Sequence, residues 1–132
     1  FSEGRIWEYP VAANATIGVG AAVITNTGGF AVQGGAAGTN QRILGVATEV
    51  ADNTSGANGA RMVTVLKRGI VDATIATNGG ITQASVGTLA YLDGYDATNQ
   101  RPIVHGTATG RTAIGTVVAV DGTTARIQLN TV

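Results

Sequence analysis

The sequence predicts an all-β fold, and three observations predict it. Gly, Ala, Thr and Val supply 20, 21, 19 and 15 of the 132 residues, while Leu, Lys and Met number only 5, 1 and 1. Straight-chain helix formers are therefore scarce, and residues that suit strands and turns dominate. The apolar residues come in runs of a few positions, punctuated by Gly, Asn and Asp. The closing segment alternates, with Ile127 and Leu129 on one side and Arg126, Gln128 and Asn130 on the other. That period of two marks an antiparallel sheet with one buried face. A helical bundle is excluded.

The first ten residues read as an extended arm. Phe1, Trp7 and Tyr9 are three of the six aromatics, mixed with Glu3, Arg5 and Glu8 and ended by Pro10. Ala21–Thr25 and Phe30–Gln33 flank the glycine-rich turn at 26–29 as a hairpin. Arg42–Ala51 reads as one long strand ending at the loop 52–59, and Arg61–Leu66 and Ile70–Ile75 follow around Lys67-Arg68-Gly69. Val86–Leu92, Pro102–His105 and Thr112–Val120 are the next strands. Asp121-Gly122 predicts a type I′ hairpin turn, which needs positive φ at both central residues.

The chain also resembles itself. Ile43–Ala47 and Ala60–Leu66 match Ala113–Val117 and Ala125–Leu129, while Gly20–Val23 matches Gly87–Ala90 and Phe30–Val32 matches Pro102–Val104. Gly45 aligns with Gly115 and Arg61 with Arg126. One domain at 11–132 is expected, built from pseudo-repeats of about 11–69 and 70–132 that bury each other's faces. Gly45 and Gly115 should hold equivalent positions where backbones approach closely. The arm at 1–10 has no counterpart in this alignment.

Charge is balanced, with 8 basic and 8 acidic residues, so the basic excess of a nucleic-acid binder is missing. No run is long enough to span a membrane as a helix. Without Cys there is no disulfide, thiolate metal site or thiol nucleophile. Gly106–Thr112 approaches a phosphate-binding loop, but its glycines are one residue too close and Arg111 replaces the lysine. His105, the single imidazole, has no serine elbow to serve. The acidic loops at 52–59 and 93–99 lack the calcium-loop spacing, and their Asx residues suit turns. Asn14 and Asn53 fit glycosylation patterns that chance supplies in so Asn- and Thr-rich a chain. The expectation is no enzyme, no cofactor and no metal, which favours a structural or binding role.

Ile81–Asp93, Gly106–Gly115, Val117–Val120 and Thr124–Leu129 resemble the capsid cement, or head-decoration, proteins of tailed phages. Gly20–Val23, Gly45-Val46-Ala47 and Met62–Val65 are similar to the family's first half. Ala84-Ser85-Val86 lengthens the stretch before Gly87, and Leu92 stands where the family usually has Trp. The resemblance implies a β-tulip-like barrel or sandwich on the outer surface of the virion. It further implies the major capsid protein as partner, homotrimers on the shell, and reinforcement of the mature head. A head-fibre or tail adhesion module is the alternative. Arg5, Ile6, Trp7 and Tyr9 are the residues expected to bind the capsid or a neighbouring subunit, since buried aromatics with a nearby Arg are typical interface anchors.

Overall fold

A computed structural model describes residues 6–26, 28–34, 43–108 and 111–129. The fold is all-β, as expected, and is assembled from two similar units. In the first unit the strands are β1 (Ile6–Pro10), β2 (Thr16–Ile17), β3 (Ala22–Thr25), β4 (Ala31–Gln33), β5 (Ile43–Ala47), β6 (Ala51–Asp52) and β7 (Met62–Leu66). Five of them form a sheet in the order β1-β7-β5-β3-β4, and β2 pairs with β6 separately. The second unit holds β8 (Ile70–Ile75), β9 (Leu89–Asp96), β10 (Arg101–His105), β11 (Ala113–Asp121) and β12 (Thr124–Leu129). These close into a barrel in the order β10-β8-β12-β11-β9.

The two sheet orders are the same order. Strands β1, β7, β5, β3 and β4 correspond to β8, β12, β11, β9 and β10, and equivalent hydrogen bonds recur. Gly20 N–H donates to Ala47 O at 2.8 Å, as Gly87 N–H does to Val117 O at 2.8 Å. Ala47 N–H returns to Ala21 O at 2.8 Å, as Val117 N–H returns to Thr88 O at 2.9 Å. The second barrel closes by parallel pairing of Val104 with Ile75, and the first unit has a parallel bridge between Val11 and Ala31. The bonds beside these contacts match too: Ala12 N–H to Ala31 O at 3.0 Å and Ala76 N–H to Val104 O at 2.9 Å. Five strands cannot alternate direction all the way round a ring, so one parallel contact per unit is unavoidable.

This correspondence corrects two expectations. Ile6–Pro10 is not an arm outside the duplication. Ile6 pairs with Leu66 and Glu8 with Thr64, just as Ile70 pairs with Gln128 and Asp72 with Arg126. The repeat therefore begins at β1, and Ile6-Trp7-Glu8 is the counterpart of Ile70-Val71-Asp72. The same registers place Thr64, not Arg61, opposite the role of Arg126. Two local differences also have simple causes. The expected long strand from Arg42 ends at Ala47: a last bond from Thr48 N–H to Thr64 O at 3.0 Å continues the pairing with β7, after which the chain leaves that sheet and Ala51–Asp52 pairs with β2. Asp121 still pairs with Thr124, so the central residues of the last hairpin are Gly122 and Thr123. Only Gly122 has positive φ, at 62°. That is the pattern of a II′ turn rather than the I′ turn expected one residue earlier.

Two hydrophobic clusters fill the interior. The first unit's interior contains Val11, Ile17, Ala21, Val23, Ala31, Leu44, Ala47, Val63 and Val65. The corresponding residues Ala90, Val104, Ile114, Val117, Ala125 and Ile127 line the inside of the second barrel. That second cluster also takes in Ala22, Ile24, Ile43 and Val46, which lie on the outer face of the first unit. The mutual face burial expected from the repeat is thus one-sided, because the first unit's outer face is covered and its counterpart on the second is open. Tyr95 fastens the join. Its hydroxyl donates to Val19 O at 2.6 Å, and its ring lies against Gly18, where a Cβ would come within 2.8 Å.

Gly45 and Gly115 do occupy equivalent strand positions. A Cβ on Gly45 would meet the carbonyl oxygen of Leu66, and one on Gly115 would meet that of Gln128. Leu66 and Gln128 are themselves equivalent, opposite Val46 and the matching Thr116.

Among the described residues of the first unit, Asn53 is the buried polar one, at 2% exposure. Its Nδ2 donates to the carbonyls of Ala12 and Ala57, both at 2.9 Å, and of Val11 at 3.3 Å. These bonds tie the end of β1 to the loop after β6. Asn53→Ala removes this tie, although Val11 O, Ala12 O and Ala57 O each keep a backbone donor in Gly59, Ala15 and Ala60 N–H, so the expected loss is about 1–2 kcal/mol, readable as a lower urea midpoint. An unchanged midpoint would mean that water replaces the amide.

Candidate interaction surface

Strand β1 places the expected binding residues on a rigid support. Its sheet partner among the described residues is β7, so it lies at the sheet margin, with the parallel bridge at Val11 just beyond its end. Trp7 is 59% exposed and Ile6 43%. Both line an open depression together with Glu8 and Met62, and Met62 is itself 47% exposed. Met62 stands opposite Pro10, on the face away from the buried Val63 and Val65. The strand alternation of β7 could have singled it out. Without that register nothing distinguishes it from the other residues of the run 60–66.

Tyr9 goes elsewhere. It packs against the first unit's interior, and Lys67 Nζ stands 5.8 Å from its ring centroid. It is therefore an anchor of β1 on its own unit, whereas Ile6 and Trp7 are largely exposed to solvent. Arg5 lies outside the described residues. The structure thus brings Ile6 and Trp7 together and gives Tyr9 a structural part.

The other chemical candidates are engaged locally. His105 Nδ1 accepts from Thr107 N–H at 3.0 Å. Arg111 Nε donates to Asp93 Oδ1 at 2.8 Å, and its Nη1 reaches Thr107 O at 3.3 Å. These contacts pin the near-phosphate-loop to the strand bearing Asp93. Asn53, with its amide committed to three carbonyls, cannot accept a glycan while the protein is folded. Asn14 Oδ1 accepts from Ser55 N–H at 2.8 Å, with Asn14 itself at φ 59°. Lys67-Arg68 sits in the connection between the two units. Among the described residues no three His, Asp or Glu side chains assemble as metal ligands.

Two carboxylates, Asp96 and Asp52, are held in their charged form by hydrogen bonds. Asp96 is held down at about 2 by the side-chain amide of Asn99, then the Thr74 hydroxyl and the Asn99 N–H. The respective bonds measure 2.8, 2.7 and 3.2 Å. Arg101 completes the network, donating to Thr74 Oγ1 at 2.8 Å and Thr124 Oγ1 at 3.0 Å. Asp52 is lowered likewise, first by the Thr54 hydroxyl, then by the Thr54 N–H and the Thr16 hydroxyl. A carboxylate with a depressed folded-state pKa contributes stability above its unfolded value, near 3.8, and loses it as pH falls toward the folded value. Asp96→Asn should therefore flatten the fall in melting temperature between about pH 4 and pH 2. An equal slope in parent and variant would remove Asp96 from the acid response.

No family model, no curated protein and no solved structure matches this chain.

Proposed function

We propose that this protein is a structural component of a tailed-phage virion that decorates the outer surface of the head. In this reading it binds the major capsid protein, assembles as homotrimers on the shell and reinforces the mature capsid. The observation that carries it is the apolar Ile6–Trp7–Met62 surface, solvent-exposed yet fixed on paired strands. A tryptophan held this way loses little conformational freedom on docking, which favours it as an anchor.

Two further features support the reading. The residues that carry the resemblance to head-decoration proteins include ones on which the fold depends: Gly87 has φ 94°, and Gly115 allows the Gln128 backbone to approach. Polar side chains weighed above for chemistry are engaged in turns and strand ties, as His105, Arg111, Asp93 and Asp96 illustrate. Cryo-electron microscopy of tailed-phage heads assembled with and without this chain tests the proposal. Extra density at three-fold or quasi-three-fold positions of the shell is the expected result. Density confined to a vertex or tail, or bare heads in both samples, would overturn it.

A further inference from the structure

The duplication assigns a specific occupant to the exposed Trp7 surface. Within one chain, the outer face of the first unit, made by Ala22, Ile24, Ile43 and Val46, is buried in the same cluster as the second barrel's core. Part of that join is a crevice where Gly20 and Val46 face Val71, Asp72 and Pro102. The equivalent residues can be read from the registers. Ala22, Ile24, Ile43 and Val46 correspond to Leu89, Tyr91, Ala113 and Thr116 on the outer face of the second unit. Val71 and Asp72 correspond to Trp7 and Glu8.

Both counterparts are open. Leu89 is 45% exposed, Ala113 is exposed, and Tyr91 and Thr116 are partly so. At the other end Trp7 and Glu8 are exposed. The chain therefore makes one copy of an interface and leaves the two halves of a second copy at its extremities. Two of the differences fit such a use, while Ala113 and Thr116 are smaller or more polar than Ile43 and Val46. Where Val71 suffices beside a covalently tethered neighbour, the untethered end has Trp7, which can bury far more area. Where Ala22 is covered within the chain, the open face has the larger Leu89.

We propose that the Trp7–Glu8 end of one molecule receives the Leu89–Tyr91–Ala113–Thr116 face of a second copy of this chain, repeating the internal join between the units. Such a contact is heterologous, with different patches on the two partners, so it propagates head to tail and closes into a ring where the rotation allows. The inference stands on the repeat geometry and does not depend on the shell-decoration reading. It gives Ile6 and Met62 a place as well, at the rim of the Trp7 depression.

Sedimentation velocity on the free full-length protein, up to near-millimolar concentration, tests it. The parent should self-associate reversibly. Trp7→Glu and Leu89→Glu, both at exposed positions, should each weaken association by roughly 30-fold or more while leaving the far-ultraviolet spectrum and melting temperature unchanged. Mixing the two variants is the decisive measurement. Each supplies the half-site the other has lost, so a mixture should form one intact junction and stop at heterodimers. A parent that stays monomeric throughout would overturn the proposal. So would a Leu89→Glu variant that associates like the parent, since Trp7 would then be meeting another Trp7 or nothing. Should Leu89→Glu fail to fold, Leu89→Gln provides the same comparison. Failure here leaves head binding untouched, and bare heads leave this association untouched.

Discussion

Gly115→Ala is expected to be among the most damaging single substitutions in the molecule. A methyl there would press on the carbonyl oxygen of Gln128 and come within 2.8 Å of Ile127 Cγ2. Neither can retreat easily. Gln128 belongs to β12, which is bonded to β11 on one side and β8 on the other, and Ile127 is fully buried. Overpacking against a backbone held from both sides costs about 1–3 kcal/mol, and the backbone strain needed to relieve it costs about as much again. A loss of about 3 kcal/mol or more would be a large fraction of the stability of a domain this size. Gly45→Ala should be at least as severe, since Gly45 also has φ 151° and its Cβ would meet Leu66 O. Gly94→Ala is the control, because its nearest neighbour would be Ile103 Cδ1 at 3.8 Å. Urea denaturation of the three variants checks the expectation. If Gly115→Ala unfolded at the parent's midpoint, the close approach between β11 and β12 would be wrong.

Much of this architecture was legible in the sequence because glycine identity survives where a backbone demands it. Gly20 and Gly87, with φ 80° and 94°, and the pair Gly45 and Gly115 were matched correctly from the chain alone. The first strand escaped for the opposite reason. Trp7 against Val71 and Tyr9 against Ala73 share neither size nor shape, which left Ile6 with Ile70 and Glu8 with Asp72 as the visible correspondence. Bulges hid more. β5 and β11 each carry register shifts against their neighbours. The Arg61–Arg126 match was three positions out, since Arg126 corresponds to Thr64, and the unequal connections before β7 and β12 conceal that offset. A barrel or sandwich was expected, but which strands close the barrel was not legible. Closure depends on a parallel contact between strands distant in sequence, for which hydrophobic periodicity holds no local signal. At the candidate surface, Trp7 and Ile6 were found from aromatic clustering and composition. Met62 and Leu89 were not, since their exposure follows from register and from which unit face the chain covers.

Deleting residues 1–9 should unfold or severely loosen the first unit, a different outcome from the one a free arm would give. The deletion removes β1 up to Pro10 and with it the Tyr9 side chain, which packs against the first unit's interior. It strips β7 of its partner from Leu66 to Val63, and Val63 and Val65 are both fully buried. Exposing that face and leaving the strand's amides on one side without partners should cost several kcal/mol. For a chain of this length that corresponds to a fall in melting temperature of about 10 °C or more. Trp7→Ala removes a side chain that is already more than half in water and leaves the ladder in place, so its melting temperature should stay within about 2 °C of the parent. The two changes therefore separate what deletion alone would confuse. Shell attachment or self-association that vanishes in the Trp7 variant, at unchanged melting temperature, belongs to the indole itself. A deletion that melts like the parent would show β1 to be dispensable to the first unit, and the equivalence between Ile6–Pro10 and the first five residues of β8 would fall with it.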